Sequence, residues 1–212
     1  MTPSELAKRI PRLYHVTDRR SRGFVEQHGL LCADTLIDRF VADPAARTRL
    51  RSERRRDFAP LHDGPDGFAA LNDNRPLIYG KLAPKLDDGL SPAEWLRILN
   101  GRVFFWPEPQ ERFFAAGRRN GRDLLLLTFD TVSLAEAYQG RLDLSPINTG
   151  SALRDPARRG LRSFTPASET TWHEWRRLRS DVKASLDEVR EVSIRGDVPD
   201  AVKHFAEPPQ EI

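Results

Sequence analysis

The chain contains five side chains whose types and spacing suit chemistry at a nucleotide or sugar. They fall in three short stretches that each predict a β-strand, and they are His15, Thr17, Phe104, Phe105 and Glu191. A neutral imidazole offers one donor and one acceptor, which suits a ribose diol. An aromatic face can stack on a flat cationic ring. A carboxylate can stabilise positive charge as it develops at a sugar carbon.

Glu191 is the strongest candidate for a catalytic group. Glutamate is depleted in strands, so a carboxylate between Val189 and Ile194 needs a reason. Strand alternation places Val189, Glu191 and Ser193 on one face. The alternative is that this face is the solvent side of an edge strand, and Glu188 is then the nearest competing carboxylate.

The other candidates have structural alternatives as well. His15 stands where a strand ends and polar sequence begins, so it could be an ordinary strand histidine bonded to the backbone. Phe104 and Phe105 could both be core residues of a buried strand. The sequence alone leaves these alternatives open.

The order and spacing of the three segments resemble the His–Tyr–Glu core of the diphtheria-toxin-like ADP-ribosyltransferases. That class includes the poly(ADP-ribose) polymerases and the DarT DNA-modifying toxins. Its first motif is similar to Leu-Phe-His-Gly-Thr, then a helix and Gly-Leu, matched here by residues 13–17 and 29–30. Its second motif, Gly-Ile-Tyr-Phe-Ala, is matched by residues 102–106. Its third is a strand glutamate near the C-terminus, and Glu191 is followed by Val-Pro at 198–199, as in DarT-like chains.

The resemblance implies an α+β fold with a split β-sheet core and flanking helices, and NAD as the substrate without a metal. It implies that His15 bonds the adenosine ribose, that Thr17 shapes the same pocket and that Glu191 bonds the nicotinamide ribose during transfer. Phe104 takes the position of the tyrosine, with Phe105 beside it, and offers a stacking face for nicotinamide. Because phenylalanine lacks the hydroxyl, any hydrogen bond of that tyrosine is lost here.

The group that neutralises the pyrophosphate of NAD is less clear from the sequence. Arg75 and the turn at residues 145–150, Ser-Pro-Ile-Asn-Thr-Gly, are weaker candidates, because arginine and glycine-rich backbone amides both bind phosphates well. That turn, together with His-Val-Thr and Asn-Gly-Arg-Val-Phe-Phe-Trp, also resembles a bacterial family without an assigned function. The second resemblance covers the whole chain and implies no activity.

Arginines crowd residues 47–56, where six of them are offset only by Glu53. Arginine presents a planar fork to phosphates, so this stretch can bind nucleic acid. The alternative is a solvated helix face. If the acceptor is a nucleic acid, we expect the following arginines to guide it from outside the NAD pocket: Arg51, Arg54, Arg55 and Arg56.

The elements that position these residues mix helices and strands without regular alternation, which favours an α+β fold over a doubly wound sheet. Residues 124–129 predict a strand buried on both faces. Ser91 predicts a helix with a capping box, closed by an αL cap at Gly101. Further helices are predicted after Ser21 and Asp34, from residue 107 to about 117, and after Pro199. Residues 42–71 predict an inserted loop or lobe with a turn at 62–67, and residues 207–212 a tail.

Composition predicts one domain over residues 1–212 and a cytoplasmic protein. The net charge is +3, the N-terminus lacks the apolar run of a secretory signal and no stretch is long enough to span a bilayer. The single cysteine, Cys32, excludes an internal disulfide and a Cys-rich zinc site. The histidines outside the first segment show no metal-binding spacing, and they are His28, His62, His173 and His204.

Together these observations predict an NAD-dependent ADP-ribosyltransferase-like protein, a toxin-like glycosyltransferase that modifies a nucleic acid or a protein and releases nicotinamide. One alternative is a non-enzymatic nucleic-acid-binding module with a vestigial transferase cleft. Another is a transferase-like fold that acts on a different nucleotide, such as 2′-phosphorylated RNA.

Overall fold

The structure, a computed structural model, describes residues 1–109, 121–178 and 188–212. Its strands are β1 (Arg12–Asp18), β2 (Ala59–Gly64), β3 (Gly67–Leu71), β4 (Arg102–Phe105), β5 (Leu124–Asp130), β6 (Leu142–Ser145), β7 (Thr165–Pro166), β8 (Glu191–Arg195) and β9 (Gln210–Glu211). Its α-helices are α1 (Pro3–Ala7), α2 (Arg22–His28), α3 (Ala33–Phe40), α4 (Pro44–Ser52), α5 (Tyr79–Leu82), α6 (Pro92–Asn100), α7 (Thr131–Ala137) and α8 (Trp172–Leu178). The predicted α+β class is confirmed.

The strands form two antiparallel sheets and a hairpin. One sheet has the order β1-β5-β9, the other has the order β4-β8-β6-β7, and β2 pairs with β3. A bridge links the two sheets, where the backbones of Tyr14 and Trp106 exchange hydrogen bonds of 2.9 and 2.8 Å. The strands that carry His15, Phe104 and Glu191 are therefore neighbours, in the order β1, β4, β8.

The second sheet has two faces of opposite character. Val103, Phe105, Val192 and Ile194 point into the largest core cluster, which β5 and β1 also fill. The other face carries polar groups. On this face the register places Ser193 of β8 beside Phe104 of β4. Alternation then puts three more polar or charged side chains on this face, namely Glu191, Asp143 and Ser145.

Helix α6 covers part of that polar face. It begins with the predicted capping box, in which Ser91 and Glu94 bond each other's backbone N–H groups. It ends without the predicted αL cap, because Gly101 has φ −81°. The buried face of α6 carries Trp95 and Leu96, which form a second apolar cluster to which Phe104 contributes.

Residues 42–71 fold into helix α4 and the β2–β3 hairpin. The turn predicted at residues 62–67 is confirmed only at Pro65 and Asp66, which connect the strands. Residues 62–64 belong to β2, and Gly67, with φ +103°, begins β3. A Cβ on Gly67 would lie 2.7 Å from the backbone nitrogen of Phe24, so glycine allows the hairpin to pack closely on α2. Residues 42–71 are therefore folded, and their hairpin packs against α2.

Several element boundaries differ from the sequence predictions. Cys32, and not Asp34, is the N-cap of α3, and the side chain of Ser21 makes no capping bond to α2. The segment after Pro199 is a 3-10 helix, Ala201–His204, and the expected tail contains β9, which pairs with β5. The helix predicted from residue 107 to about 117 falls largely outside the described residues. None of the described helices is long and apolar enough to cross a membrane.

Candidate active-site cleft

A cleft of about 240 Å³ opens between β1, α2, the β2–β3 hairpin, the end of α6 and β4. Both apolar and polar side chains line it. The polar and charged side chains that line it are His15, Thr17, Ser21, Arg55, Asn72, Asp73, Asn74, Asn100 and Arg102. A concave site with an apolar floor and a few polar groups is the usual form of a small-molecule site.

His15 lies where β1 and β4 part. Its Nδ1 donates a hydrogen bond of 2.8 Å to the carbonyl oxygen of Phe104, because a carbonyl can only accept. The imidazole thereby joins β1 to β4 beside the bridge between Tyr14 and Trp106. In the neutral ring this fixes the tautomer and leaves Nε2 as an acceptor.

Burial lowers the pKa of His15, and the bond to Phe104 opposes that effect only in part. The ring is therefore neutral at pH 7. Thr17 follows on the same side of β1 and also lines the cleft. The two side chains that the sequence paired do lie in one site.

The two phenylalanines of β4 separate onto opposite faces. Phe104 lines the cleft. Phe105 is fully buried in the core, where its ring meets that of Phe129 edge-on at 5.2 Å between centroids. A ligand in the cleft can therefore touch Phe104 and not Phe105, which corrects the expectation that both serve the cofactor.

Glu191 lies at the start of a central strand and not on an exposed edge, because β8 is paired on both sides. The residue is only 5% exposed. Its Oε2 accepts hydrogen bonds from the backbone N–H of Thr149, at 3.2 Å, and from the Thr149 hydroxyl. Burial raises the pKa of Glu191 to about 7, against these bonds and the nearby cations. It shares a sheet face with Phe104 but is not among the described residues that line the cleft.

The loop that covers Glu191 is held in place from two sides. The Thr149 carbonyl accepts hydrogen bonds of 3.2 Å from the Trp95 indole and from Arg159. Arg159 also donates to the Ser151 carbonyl at 2.7 Å, and burial lowers its pKa to about 10. The turn considered for pyrophosphate binding therefore closes over the carboxylate.

Arg102 brings a buried cation to the cleft from β4. Its Nη1 donates to Asp143 at 2.5 Å and to the Ser193 hydroxyl at 3.1 Å. Its guanidinium lies 3.9 Å from the centroid of the Phe164 ring. These contacts fix Arg102 as a positive group beside Phe104.

The four arginines proposed for nucleic acid occupy different environments. Arg51 forms ion pairs with Asp34 and Asp38, at 3.2 and 2.6 Å. Arg54 bonds the backbone carbonyl of Arg75, and Arg56 is exposed.

Arg55 lies in the cleft, although all four arginines were expected to lie outside the pocket. It lines the cleft, where it donates to the Asn72 carbonyl at 3.2 Å and to the Asn100 amide oxygen at 3.2 Å. Burial lowers its pKa. Arg55 therefore belongs to the cleft wall, which corrects the expectation that all four arginines lie outside it.

Arg75 is exposed and lies outside the cleft. Its guanidinium pairs with Asp57 at 2.8 Å and bonds the Arg56 carbonyl. The adjacent segment, residues 72–74, lines the cleft instead. The sequence reasoning missed Asn72, Asp73 and Asn74. Their signal was a run of three amide or carboxylate side chains directly after the buried strand β3.

The fold and the cleft define an α+β protein in which two antiparallel sheets part around a polar site. The chain matches the "Family of unknown function (DUF7002)" over residues 11–205, and it belongs to that family. The matched region contains all three motif segments. No curated protein and no solved structure matches the chain significantly.

Proposed function

We propose that the protein is an NAD-dependent ADP-ribosyltransferase-like enzyme that transfers ADP-ribose to a nucleic acid or a protein and releases nicotinamide. The observation that carries the proposal is the adjacency of β1, β4 and β8, with His15 bonded to Phe104 beside the cleft. Segments that are 89 residues apart in the chain, as His15 and Phe104 are, thus lie on neighbouring strands. In the resembling enzymes the same three segments line one groove.

Four of the residues that line the cleft have a role in this proposal. His15 is neutral and presents Nε2 as an acceptor to a ribose hydroxyl, while Thr17 adds a hydroxyl to the same wall. Phe104 offers the nicotinamide ring an aromatic face, worth roughly 0.5–2 kcal/mol for a cationic ring. Arg102 lies beside Phe104, and its guanidinium has further N–H groups that can donate to a phosphate besides its bonds to Asp143 and Ser193.

Glu191 is the proposed catalytic group. In the transfer the bond between ribose C1′ and the nicotinamide nitrogen breaks, and its electron pair leaves with nicotinamide. An acceptor nucleophile bonds C1′ and loses its proton to Glu191. A carboxyl group with a pKa of about 7 suits a general base at neutral pH.

For this role the carboxylate must exchange its bonds with Thr149 for bonds to the substrate. Thr149 stands in a turn followed by Gly150, and it provides both hydrogen bonds to Oε2. A ribose hydroxyl can replace the Thr149 hydroxyl, because both are neutral donors to a carboxylate. The proposal therefore includes a shift of the turn at residues 145–150 when NAD binds.

The proposed acceptor surface is the exposed part of the arginine cluster. Arg49 and Arg56 are exposed and form no ion pair with any described residue. Arg54, which bonds the Arg75 carbonyl, belongs to the same cluster. Such a surface favours a polyanion, so nucleic acid is preferred to protein as the acceptor.

A non-enzymatic nucleic-acid-binding module is the second candidate. Two observations favour it: Glu191 is enclosed by Thr149, and Phe104 lacks the hydroxyl of the corresponding tyrosine. In that case the cleft is vestigial and the exposed arginines carry the function.

Incubation with labelled NAD and single-stranded DNA, duplex DNA, RNA or a protein mixture tests the two candidates. Transfer of label to one acceptor, with release of nicotinamide, supports the enzyme. Salt-dependent binding of nucleic acid without any transfer or NAD hydrolysis favours the binding module.

A further inference from the structure

Asn74 is a cleft residue whose side-chain amide has no hydrogen-bond partner in the part of the chain that the structure describes. Its Oδ1 and Nδ2 are both shielded from solvent, and neither bonds any described residue. Buried polar atoms in folded proteins nearly always have a partner, so each exception calls for an explanation. Here the unpartnered amide borders the site at which a ligand would bind.

The other cleft asparagines differ from Asn74. The amide of Asn100 bonds the Arg51 carbonyl at 3.1 Å and accepts from Arg55. The amide oxygen of Asn72 accepts from Arg122 at 3.0 Å. Turning either amide would break these bonds, whereas turning the amide of Asn74 towards the cleft breaks none.

The backbone of Asn74 is nevertheless well fixed. Its N–H donates to the Arg55 carbonyl at 3.0 Å, and its carbonyl accepts from Leu77 at 2.9 Å. Leu77 packs in the same apolar cluster as Phe104. A fixed backbone with an uncommitted amide, in a cleft that an aromatic ring also lines, is an arrangement suited to recognising the edge of a planar ring.

We propose that Asn74 selects the ligand of the cleft by pairing with an edge that carries a hydrogen-bond donor beside an acceptor. This inference rests on the proposed function in that it assumes a nucleotide in the cleft. Two groups of NAD have such an edge: the adenine base and the carboxamide of nicotinamide. An asparagine amide is complementary to both, because it offers one donor and one acceptor side by side.

Binding measurements with partial ligands test the proposal and separate the two groups. The full chain is titrated by calorimetry with ADP, nicotinamide mononucleotide and ribose 5-phosphate, as wild type, Asn74→Leu and Asn74→Gln. We expect Asn74→Leu to weaken one of the first two ligands by about ten-fold or more. Asn74→Gln, which keeps the amide, should lose less. Ribose 5-phosphate lacks such an edge, so its binding should not change.

The ligand that weakens identifies the group. A loss confined to ADP assigns Asn74 to the adenine base, and a loss confined to nicotinamide mononucleotide assigns it to the carboxamide. Equal losses for all three ligands would overturn the proposal, because they indicate a general change of the cleft. Thermal melting of each variant shows whether the fold is intact, and Gln139→Leu serves as a control at an exposed amide outside the cleft lining.

Two negative results have different meanings. If the wild type binds ADP or nicotinamide mononucleotide and Asn74→Leu binds it equally well, this inference alone is overturned. If the wild type binds none of the three ligands, the cleft is not a nucleotide site, and the proposed function fails together with the inference.

Discussion

Glu191 and Thr149 form a buried pair in which one carboxylate oxygen accepts hydrogen bonds from both the backbone N–H and the hydroxyl of the threonine. The pair joins the central strand β8 to the turn at residues 145–150. It stabilises the turn, and it also withholds the carboxylate from the cleft. The pH dependence of folding and the proposed chemistry both depend on this pair.

The first prediction concerns the stability of the folded state between pH 5 and pH 8. The pKa of Glu191 is about 7 when folded, against 4.5 for an unperturbed glutamate, so the folded state binds the proton more tightly. The contribution of Glu191 to the free energy of unfolding is therefore present below pH 4.5, falls as the pH rises and is lost above pH 7. Glu191→Gln does not titrate. Relative to wild type, this variant should therefore gain about 2–3 kcal/mol between pH 5 and pH 8.

Urea unfolding of both proteins at the two pH values measures this difference. Other titrating groups, including His15, are common to both proteins and cancel in the comparison. A difference that does not change with pH would place the pKa of Glu191 near its ordinary value and contradict the described burial.

The second prediction distinguishes the structural role of Nδ1 of His15 from the proposed ligand contact of its Nε2. His15→Ala should lower the free energy of unfolding by roughly 1–2 kcal/mol, because the Phe104 carbonyl loses its donor. His15→Asn can keep an N–H near the Nδ1 position but has no counterpart of Nε2. It should therefore restore much of the stability without restoring NAD affinity. Recovery of both by asparagine would show that Nε2 does not contact the ligand.

The third prediction uses two glycines of the same region. Gly29 has φ +73°, and a Cβ there would overlap the backbone of Val198 and Pro199, so Gly29→Ala should destabilise the protein by more than about 2 kcal/mol. Gly23, within α2, has open space around it. Gly23→Ala should be neutral or stabilise by about 0.5–1 kcal/mol. Chemical denaturation of the two variants tests this, and equal effects would contradict the close approach of α2 to residues 198–199.

The fourth prediction distinguishes the arginines expected to bind nucleic acid from Arg55, which lines the cleft. Replacing Arg54 and Arg56 by glutamine should weaken nucleic-acid binding and lower the slope of log affinity against log salt by about 2, with NAD binding retained. Arg55→Gln should instead weaken NAD binding, because Arg55 holds the cleft wall at Asn72 and Asn100. Fluorescence titrations at several salt concentrations measure both effects. If the double variant binds nucleic acid as the wild type does, the arginines are only a solvated surface.

Local signals in the sequence predicted much of the fold. The capping box at Ser91 and the buried strand at residues 124–129 depend on short-range chemistry, and both are confirmed. The αL cap at Gly101 was wrong, because the chain turns directly into β4 without a positive φ. The pairing of β9 with β5 is a long-range contact that short-range propensity does not encode.

The candidate site was only partly predictable, for the same physical reason. Alternation along β8 correctly placed Glu191 and Ser193 on the face that Val192 does not share. It was wrong for Val189, which precedes β8 and packs in the core with Val192. It also could not show that β8 is central or that Thr149 encloses the carboxylate. Asn74 was missed because an unpartnered amide can be recognised only when its surroundings are known.

Release of nicotinamide from NAD tests the central claim most directly. It is measured at pH 7.5 for wild type, Glu191→Gln and the matched control Glu188→Gln, with nucleic acid present and absent. Glu188 is only half-buried and pairs with Arg190 at 2.6 Å outside the cleft lining. The account predicts release by the wild type and by Glu188→Gln, and a loss of about 100-fold or more in Glu191→Gln with NAD affinity largely retained. No release by the wild type, or full activity in Glu191→Gln, would contradict it.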